Sequence, residues 1–130
     1  MAQLILDTTA LVAAERTKKT LDALIGDDDD IVIAAITAAE LLVGVHLADD
    51  TNRARRLRFV DAVLTAIPIQ DYDLAVARAH ADLLAHVRHA GRPRGAHDLI
   101  IAATAKATGR TVVSADSNAF VDLPGVEHQP

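Results

Sequence analysis

Residues 4–9 read Leu4-Ile5-Leu6-Asp7-Thr8-Thr9, a short aliphatic run that ends in an acid and two small hydroxyl residues. A run of this kind is typical of a buried strand, and the apolar residues from Ala10 to Ala14 favour a helix after it. A second run, Ile31-Val32-Ile33, is apolar on both faces, as in a parallel strand covered on both sides. Asp7 therefore marks a point where a parallel strand gives way to a helix.

The rest of the chain alternates helical and strand patterns, without an internal repeat or a low-complexity linker. The patterns predict a helical piece at 18–25 stopped by Gly26, a helix from Thr37, and a helix from Asp50 to about Leu64 with Leu57, Val60 and Leu64 on one face. An edge strand is predicted at Ile67-Pro68-Ile69, followed by a long helix capped by Asp71 or Asp73 and ended by Gly91. The last predicted elements are a helix from His97 to Lys106 ended by Gly109, and a strand at 111–113. This order predicts an α/β fold with a mainly parallel sheet.

Composition predicts one soluble domain. With 130 residues, of which 51% are hydrophobic, the chain is long enough to bury a core of its own over residues 1–130. It has no cysteine, which excludes disulfides and thiolate metal sites. The amino-terminal segment lacks the basic start of a signal peptide, and the apolar runs are too short to span a membrane. We therefore expect a cytoplasmic protein without a membrane partner.

The net charge of −5 does not exclude a nucleic-acid partner, because the charges are unevenly distributed. Asp27-Asp28-Asp29-Asp30 carries four of the negative charges and reads as a solvated turn. The remainder is close to neutral and contains two basic clusters. These are Arg53, Arg55, Arg56 and Arg58 in one helical segment, and Arg88, His89, Arg92 and Arg94 ahead of Asp98.

Four acids follow strands or lie near the start of helices: Asp7, Glu40, Asp98 and Asp116. Ligands of parallel α/β sheets bind outside the carboxyl ends of the strands, so these side chains are expected to meet at one edge. Carboxylates brought together repel each other, and a divalent cation offsets that repulsion. The histidines show no zinc-site spacing and are interpreted as surface or packing residues.

Each acid also has an ordinary structural interpretation. Thr37-Ala38-Ala39-Glu40 matches a capping box, in which Glu40 would bond the amide of Thr37. Asp98 would favour the helix dipole, and Asp116 would be a turn former. A carboxylate without a functional role is less expected at Asp7, directly after an apolar strand.

Four stretches together resemble a known family. They are Ile5-Leu6-Asp7-Thr8-Thr9-Ala10-Leu11, Ile36-Thr37-Ala38-Ala39-Glu40-Leu41, residues 96–105 around Asp98, and Val112-Val113-Ser114-Ala115-Asp116. In this order and spacing they are similar to the PIN-domain ribonucleases. The length and the closing residues 120–126 resemble the VapC toxins of bacterial toxin–antitoxin pairs in particular.

The resemblance implies a three-layer α/β sandwich and assigns roles to the acids. It makes Asp7 and Asp98 the principal ligands of Mg²⁺ or Mn²⁺, with Glu40 and Asp116 completing the acidic pocket. Thr8 and Ser114 match hydroxyl positions that orient these carboxylates. Many relatives have threonine where Ser114 stands, and a further acid where Ala119 stands; the second difference bears on how firmly a second metal ion is held.

The implied chemistry is hydrolysis of RNA phosphodiester bonds by water, with Glu40 or Asp116 accepting a proton. With Tyr72, Phe59 and Phe120 as the only aromatic residues, base stacking is a minor means of recognition, and Arg92 and Arg94 are the candidates to hold the RNA backbone. The resemblance further implies structured RNA, such as tRNA or a ribosomal RNA loop, as substrate, a homodimer, and a VapB-type antitoxin as partner.

Two other function classes stay open at this point. A receiver-like phosphoryl-transfer domain also places acids after strands, although it normally has a second acid beside the first and a lysine after a late strand. Here Asp7 is followed by two threonines, and no lysine follows Lys106. A catalytically inactive PIN-like binding module is the other alternative, disfavoured because all four acids are present.

Overall fold

A computed structural model describes residues 1–17, 28–116 and 118–130. The strands are β1 (Gln3–Leu6), β2 (Asp30–Ala34), β3 (Ile69–Gln70), β4 (Thr111–Val113) and β5 (His128–Gln129), and the helices are α1 (Thr8–Arg16), α2 (Ala35–Leu47), α3 (Asp50–Ala66), α4 (Leu74–Ala90) and α5 (Ala96–Thr108). The helical piece predicted at 18–25 and its stop at Gly26 lie outside the described residues. Of the acidic run, Asp28 is in a turn and Asp30 already belongs to β2.

The strands form one parallel sheet in the order β3-β2-β1-β4-β5. The first strand therefore lies in the middle, where Ile5 pairs with Val32 on one side and with Val112 on the other. The α/β fold with a parallel sheet is confirmed, and β3 is an edge strand, as Pro68 suggested. A central parallel strand needs apolar residues on both faces, which the run at 4–6 supplies.

Helices cover both faces of the sheet. Ile5 and Val112 pack with residues of α4 and α5, including Leu83 and Ile101. The neighbouring Leu4 and Leu6 point to the opposite face and join a second cluster with residues of α1, α2 and α3, such as Leu11, Leu41 and Val60. Burying each large aliphatic side chain of this kind contributes about 1.5–3 kcal/mol to folding. These two layers of helices and the sheet between them make the three-layer sandwich.

Several details differ from the sequence predictions. Strand β3 covers Ile69–Gln70 instead of the predicted 67–69. Helix α2 begins at Ala35, two residues before Thr37. On α3 the fully buried residues are Val60 and Val63, whereas Leu57 is 41% exposed. Strand β5 was not predicted, because a two-residue strand of polar side chains has no periodicity to reveal it.

The topology brings the ends of several elements to the carboxyl edge of the sheet. Asp7 follows β1, and Ser114 to Asp116 follow β4, its direct neighbour. Helices α2 and α5 begin near the same edge and carry Glu40 and Asp98 in their first two turns. Among the described residues, no helix is both long and apolar enough to cross a membrane.

Candidate functional site

Asp7 is held at the centre of this edge and is 1% exposed. Its extended backbone makes it the N-cap of α1, where its Oδ1 accepts a hydrogen bond from the amide of Ala10 at 2.9 Å. Its own amide donates to the carbonyl of Val113 at 3.1 Å. An N-cap of this kind stabilises a helix by about 1 kcal/mol. Asp7 is thus fixed by both the strand before it and the helix after it.

Two hydroxyl groups complete the surroundings of the Asp7 carboxylate. Thr9 donates to Oδ1 at 2.7 Å, and Ser114 donates to Oδ2 at 2.5 Å. The Thr9 hydroxyl also accepts from the amide of Ala115 at 3.0 Å, so it joins α1 to the segment after β4. Ser114 was predicted as a residue that orients a carboxylate, whereas Thr9 was not. Its hydroxyl two residues after the capping acid was the available signal, because such side chains often bond the preceding carboxylate.

Glu40 lies in the second turn of α2 and links three helices. Its Oε1 accepts from the Thr8 hydroxyl at 2.8 Å, and its Oε2 lies 3.2 Å from His97 Nδ1. The capping-box interpretation is wrong, because the helix starts before Thr37, and Glu40 contacts Thr8 of α1 and His97 of α5 instead. His97 is also more than a surface histidine, since it contacts one of the candidate acids.

Asp98 is the third residue of α5, whose N-cap is Gly95. Burial raises the pKa of Asp98 above its ordinary value of 3.8, and the negative charges of Asp7, Asp116 and Glu40 raise it further, while His97 opposes them. The acids come from four separate segments of the chain, yet each is close enough to repel the same carboxyl group. The structure therefore brings all four predicted acids into one electrostatic environment.

Asp116 is exposed in the loop after β4. Its Oδ1 accepts from the amide of Asn118 at 3.1 Å, and its own amide donates to the Ser114 hydroxyl at 3.0 Å. These are the bonds of a turn-forming aspartate, as the ordinary interpretation held. The same carboxylate nevertheless adds to the repulsion felt by Asp98. Ser114 connects the two ends of the site, since its hydroxyl bonds both Asp7 and the Asp116 amide.

The donor set fits a hard divalent cation. All four acids offer carboxylate oxygens, the ligands that Mg²⁺ and Mn²⁺ prefer, and their mutual repulsion at Asp98 is the electrostatic situation that a cation relieves. Within residues 1–17, 28–116 and 118–130, no three acidic or histidine side chains are already drawn together at metal-ligand distances. Asp7, Glu40 and Asp116 each accept a hydrogen bond from another partner, namely Ser114, Thr8 and the amide of Asn118.

Arg94, one of the two arginines predicted to bind RNA, contacts the protein's own main chain. Its guanidinium donates to the carbonyls of Ala119 at 3.1 Å and Val121 at 2.6 Å, with a longer bond to Asn118 at 3.4 Å. Arg92 is exposed, and no hydrogen bond or ion pair of its side chain is found within the described part of the chain. The RNA-binding role of both residues stays a prediction.

Comparison with known proteins agrees with this arrangement. A family model for the PIN domain matches residues 4–126. The chain belongs to the PIN-domain family. A curated relative, ribonuclease VapC5 of Mycobacterium tuberculosis, is 35% identical to this PIN domain over 124 residues, covering 93% of the chain and 87% of the relative. The chain is thus a member of the VapC ribonucleases within that family.

Two further similarities bear on function. The tRNA(fMet)-specific endonuclease VapC of Shigella flexneri is 28% identical over 94 residues, covering 72% of this PIN domain and 70% of the relative. A solved structure of the VapBC-5 toxin–antitoxin complex of M. tuberculosis superposes with a TM-score of 0.80 at 30% identity, covering 98% of both chains. The recognised fold and family are confirmed by these matches.

Proposed function

We propose that this PIN domain is the toxin of a VapBC-type toxin–antitoxin pair and cleaves structured RNA in a reaction that depends on Mg²⁺ or Mn²⁺. The observation that carries the proposal is the shared environment of four distant acids, in which Asp7, Asp116 and Glu40 all raise the pKa of Asp98. Such a cluster destabilises a fold unless an opposite charge joins it. Membership of the VapC ribonucleases supports the type of reaction.

In this proposal Asp7 and Asp98 are the principal cation ligands, and Glu40 and Asp116 complete the set. The bound cation supplies charge neutralisation and activation of water. Thr8 and Ser114 orient carboxylates: Thr8 bonds Glu40, and Ser114 bonds Asp7. We add Thr9 to this group because its hydroxyl bonds the second side of Asp7.

Asp116 is a better candidate than Glu40 to accept the proton of the attacking water. Glu40 Oε1 accepts a hydrogen bond from Thr8, and its Oε2 lies 3.2 Å from His97 Nδ1, so both of its oxygens face protein groups. Asp116 accepts on Oδ1 from Asn118, and within the described segments no donor is found for its Oδ2. A base must be within reach of the proton that it removes, and the exposed Oδ2 of Asp116 is the more accessible oxygen for a water molecule.

The substrate is proposed to be structured RNA, with tRNA as the first choice because a relative is named as a tRNA(fMet)-specific endonuclease. Tyr72, Phe59 and Phe120 are the only aromatic residues, and Phe120 is fully buried, so base stacking contributes little. We propose exposed Arg92 as the residue that binds phosphates, because Arg94 already donates to main-chain carbonyls. The reaction is proposed to take place in the cytoplasm.

The partners are proposed to be a VapB-type antitoxin and a second copy of the chain. The likeness to a VapBC complex supports the first. Helix α2 presents an apolar face, with Leu42 38%, Val43 52% and Leu47 80% exposed, which is surface suited to a protein partner. A basic residue of the antitoxin would be attracted to the carboxylates much as a cation is.

The decisive test is cleavage of purified tRNA and of total RNA with and without Mn²⁺ or Mg²⁺. We expect fragments only with the metal, and we expect Asp98→Asn to slow cleavage by about 100-fold or more, equivalent to about 3 kcal/mol of barrier. Asp82→Asn, which removes an exposed acid from α4, is the matched control and should cleave normally. Cleavage that persists in a chelator, or that Asp98→Asn leaves unchanged, would refute the proposal.

The toxin assignment needs a separate experiment. The chain should be co-expressed with the small protein encoded beside it, and the complex should be isolated and assayed. We expect the small protein to co-purify and to suppress RNA cleavage. Full activity of the isolated complex would contradict the assignment as a toxin held by its antitoxin.

A further inference from the structure

Arg94 connects two loops that flank the acidic site. It precedes Gly95, the N-cap of the helix that carries Asp98, and so belongs to the loop between α4 and α5. Its guanidinium reaches 24 to 27 residues along the chain to the main-chain carbonyls of Asn118, Ala119 and Val121. The second loop follows β4 and carries Asp116.

The segment 118–121, which accepts hydrogen bonds from Arg94, also donates one to Asp116. The amide of Asn118 donates to Asp116 Oδ1 at 3.1 Å, while the carbonyl of the same residue accepts from Arg94 Nη1 at 3.4 Å. The stronger bonds are those to Ala119 and Val121, at 3.1 and 2.6 Å. Phe120 between them is fully buried in the core. Arg94 and Phe120 thus anchor one segment from opposite sides.

Guanidinium geometry matters for this contact. Arginine presents several N–H groups in a flat fork and satisfies several carbonyl oxygens at once, whereas a lysine ammonium at that place acts as a point charge. Carbonyls of a loop have no partner of their own in regular structure, so the guanidinium contacts, together with buried Phe120, fix the path of residues 118–121. The direction of the Asn118 amide, and with it the position of the Asp116 carboxylate, follows from that path.

We infer that Arg94 is a positioning residue, which sets the Asp116 carboxylate relative to Asp98 through the main chain of residues 118–121. The inference deepens the proposed function and rests on it, since Asp116 matters only if the acids act together. It assigns Arg94 a role inside the protein in place of a contact with RNA. Residues that orient metal-binding carboxylates typically change metal affinity or activity by about 10- to 100-fold when they are removed.

The test compares four proteins: the wild type, Arg94→Ala, Asp116→Asn and the double variant. Mn²⁺ affinity is measured by titration calorimetry without RNA, and kcat and KM are measured with tRNA. We expect Arg94→Ala to weaken Mn²⁺ binding and to lower kcat by about 10-fold or more while KM changes little. In the Asp116→Asn background, the further change from Arg94→Ala should be less than about twofold, because both act through one carboxylate.

Arg94→Lys and Arg92→Ala are the matched variants. If Arg94 served RNA by its charge, the lysine variant would behave like the wild type, whereas the positioning role predicts that it resembles Arg94→Ala. Arg92→Ala removes a neighbouring exposed arginine and should leave Mn²⁺ affinity unchanged. Circular dichroism checks folding, which buried Phe120 should preserve; if Arg94→Ala does not fold, the lysine variant carries the comparison.

Several results would overturn the inference. These are a raised KM with unchanged kcat and Mn²⁺ affinity, a lysine variant equal to the wild type, or multiplicative effects of Arg94→Ala and Asp116→Asn. The proposed function fails separately, if the wild type cleaves no RNA in the presence of metal. The Mn²⁺ titrations then decide the positioning role alone, and a wild type that binds no Mn²⁺ refutes both.

Discussion

The carboxylate of Asp98 is repelled by the negative charges of three other acids. Its pKa is raised, first by burial and then by Asp7, Asp116 and Glu40. The folded protein therefore binds a proton at Asp98 more readily than the unfolded chain does. At neutral pH the charged carboxylate opposes folding, and this opposition is relieved as the pH falls through the raised pKa and is gone below the ordinary value of 3.8.

Asp98→Asn should consequently make the metal-free protein more stable at pH 7, although it removes activity. The melting temperature of the variant should exceed that of the wild type at pH 7, and the difference should shrink as the pH is lowered. Scanning calorimetry in a chelating buffer from pH 7 to pH 4 measures both effects. Asp82→Asn controls for the loss of one negative charge, and a variant less stable than the wild type at neutral pH would contradict the prediction.

Thr8 offers a test of how Glu40 is oriented. Thr8→Val keeps the shape of the side chain but removes the hydroxyl that donates to Glu40 Oε1. We expect cleavage to slow by about 10-fold, because orientation of a carboxylate by such a donor is commonly worth that much.

Thr17→Val at the end of the same helix is the control, since the bonds of the Thr17 hydroxyl within the described residues are to carbonyls of its own helix. Both variants are compared by initial rates at saturating metal. Equal rates for Thr8→Val and the wild type would show that Glu40 does not depend on Thr8.

The start of α5 is shaped around the Asp98 carboxylate. Gly95 is its N-cap, and a Cβ built on Gly95 would lie 3.0 Å from Asp98 Oδ2, which is too close for comfortable packing. The backbone of Gly95 has a negative φ of −56°, so another residue is acceptable to the main chain. A side chain at this position would therefore push the Asp98 carboxylate aside by a few tenths of an ångström.

Gly95→Ala should therefore move the Asp98 carboxylate and lower the cleavage rate, with little effect on folding stability. The matched control is Gly44→Ala inside α2, where the added Cβ would approach Arg56 only to 3.8 Å. That change should raise the free energy of unfolding by up to about 1 kcal/mol, the helix preference of alanine over glycine. Rates and thermal melts of both variants are the measurements, and an unaffected rate in Gly95→Ala would contradict the crowding argument.

The elements themselves were largely predictable from the sequence. The runs at 4–6 and 31–33 gave β1 and β2, and Asp73 and Gly91 do cap and end α4, with Asp73 accepting from Val76 at 3.0 Å and Gly91 in the left-handed conformation. Local signals of this kind act within a few residues. Strand β5 could not be predicted, because its stability comes from pairing with β4 and not from its own side chains.

The site was predictable as a set of acids but not as a set of contacts. Asp7 could be singled out because it directly follows a buried strand, where burying a carboxylate without a partner costs free energy. The main-chain contacts of Arg94 could not be predicted, because sequence gives a positive charge without its direction, and carbonyl oxygens attract it as phosphates do. The bonds of Thr9 and His97 depend on loops and helices that meet only in the folded chain.

At the scale of the whole molecule, Arg110 stabilises the amino-terminal edge of the sheet. This side chain is 12% exposed and its Nη1 donates to the carbonyls of Leu4 and Asp30 and to the Asp30 carboxylate, at 3.2, 2.8 and 3.1 Å. It thereby joins β4 to β1 and β2. Its Nε is buried, and within the described residues no partner is found for it.

Arg110→Ala should lower the free energy of unfolding by about 1–3 kcal/mol, the usual cost of leaving buried polar groups unpaired. Denaturation in urea at pH 7 measures the change. Arg58→Ala, an exposed position on α3, should stay within about 0.5 kcal/mol of the wild type. A similarly small effect of Arg110→Ala would mean that water replaces the hydrogen bonds of Arg110 without a loss of stability.

The central position of β1 also determines the stage of synthesis at which the enzyme can become active. Its partner β4 and the hydroxyl of Ser114, which bonds Asp7 across 107 residues of sequence, are synthesised long after β1. A nascent chain on the ribosome therefore lacks one side of this strand until β4 has been made. Stop codons introduced anywhere before the codon for Thr111 should yield inactive fragments, even when the codons for Asp7, Glu40 and Asp98 have all been read.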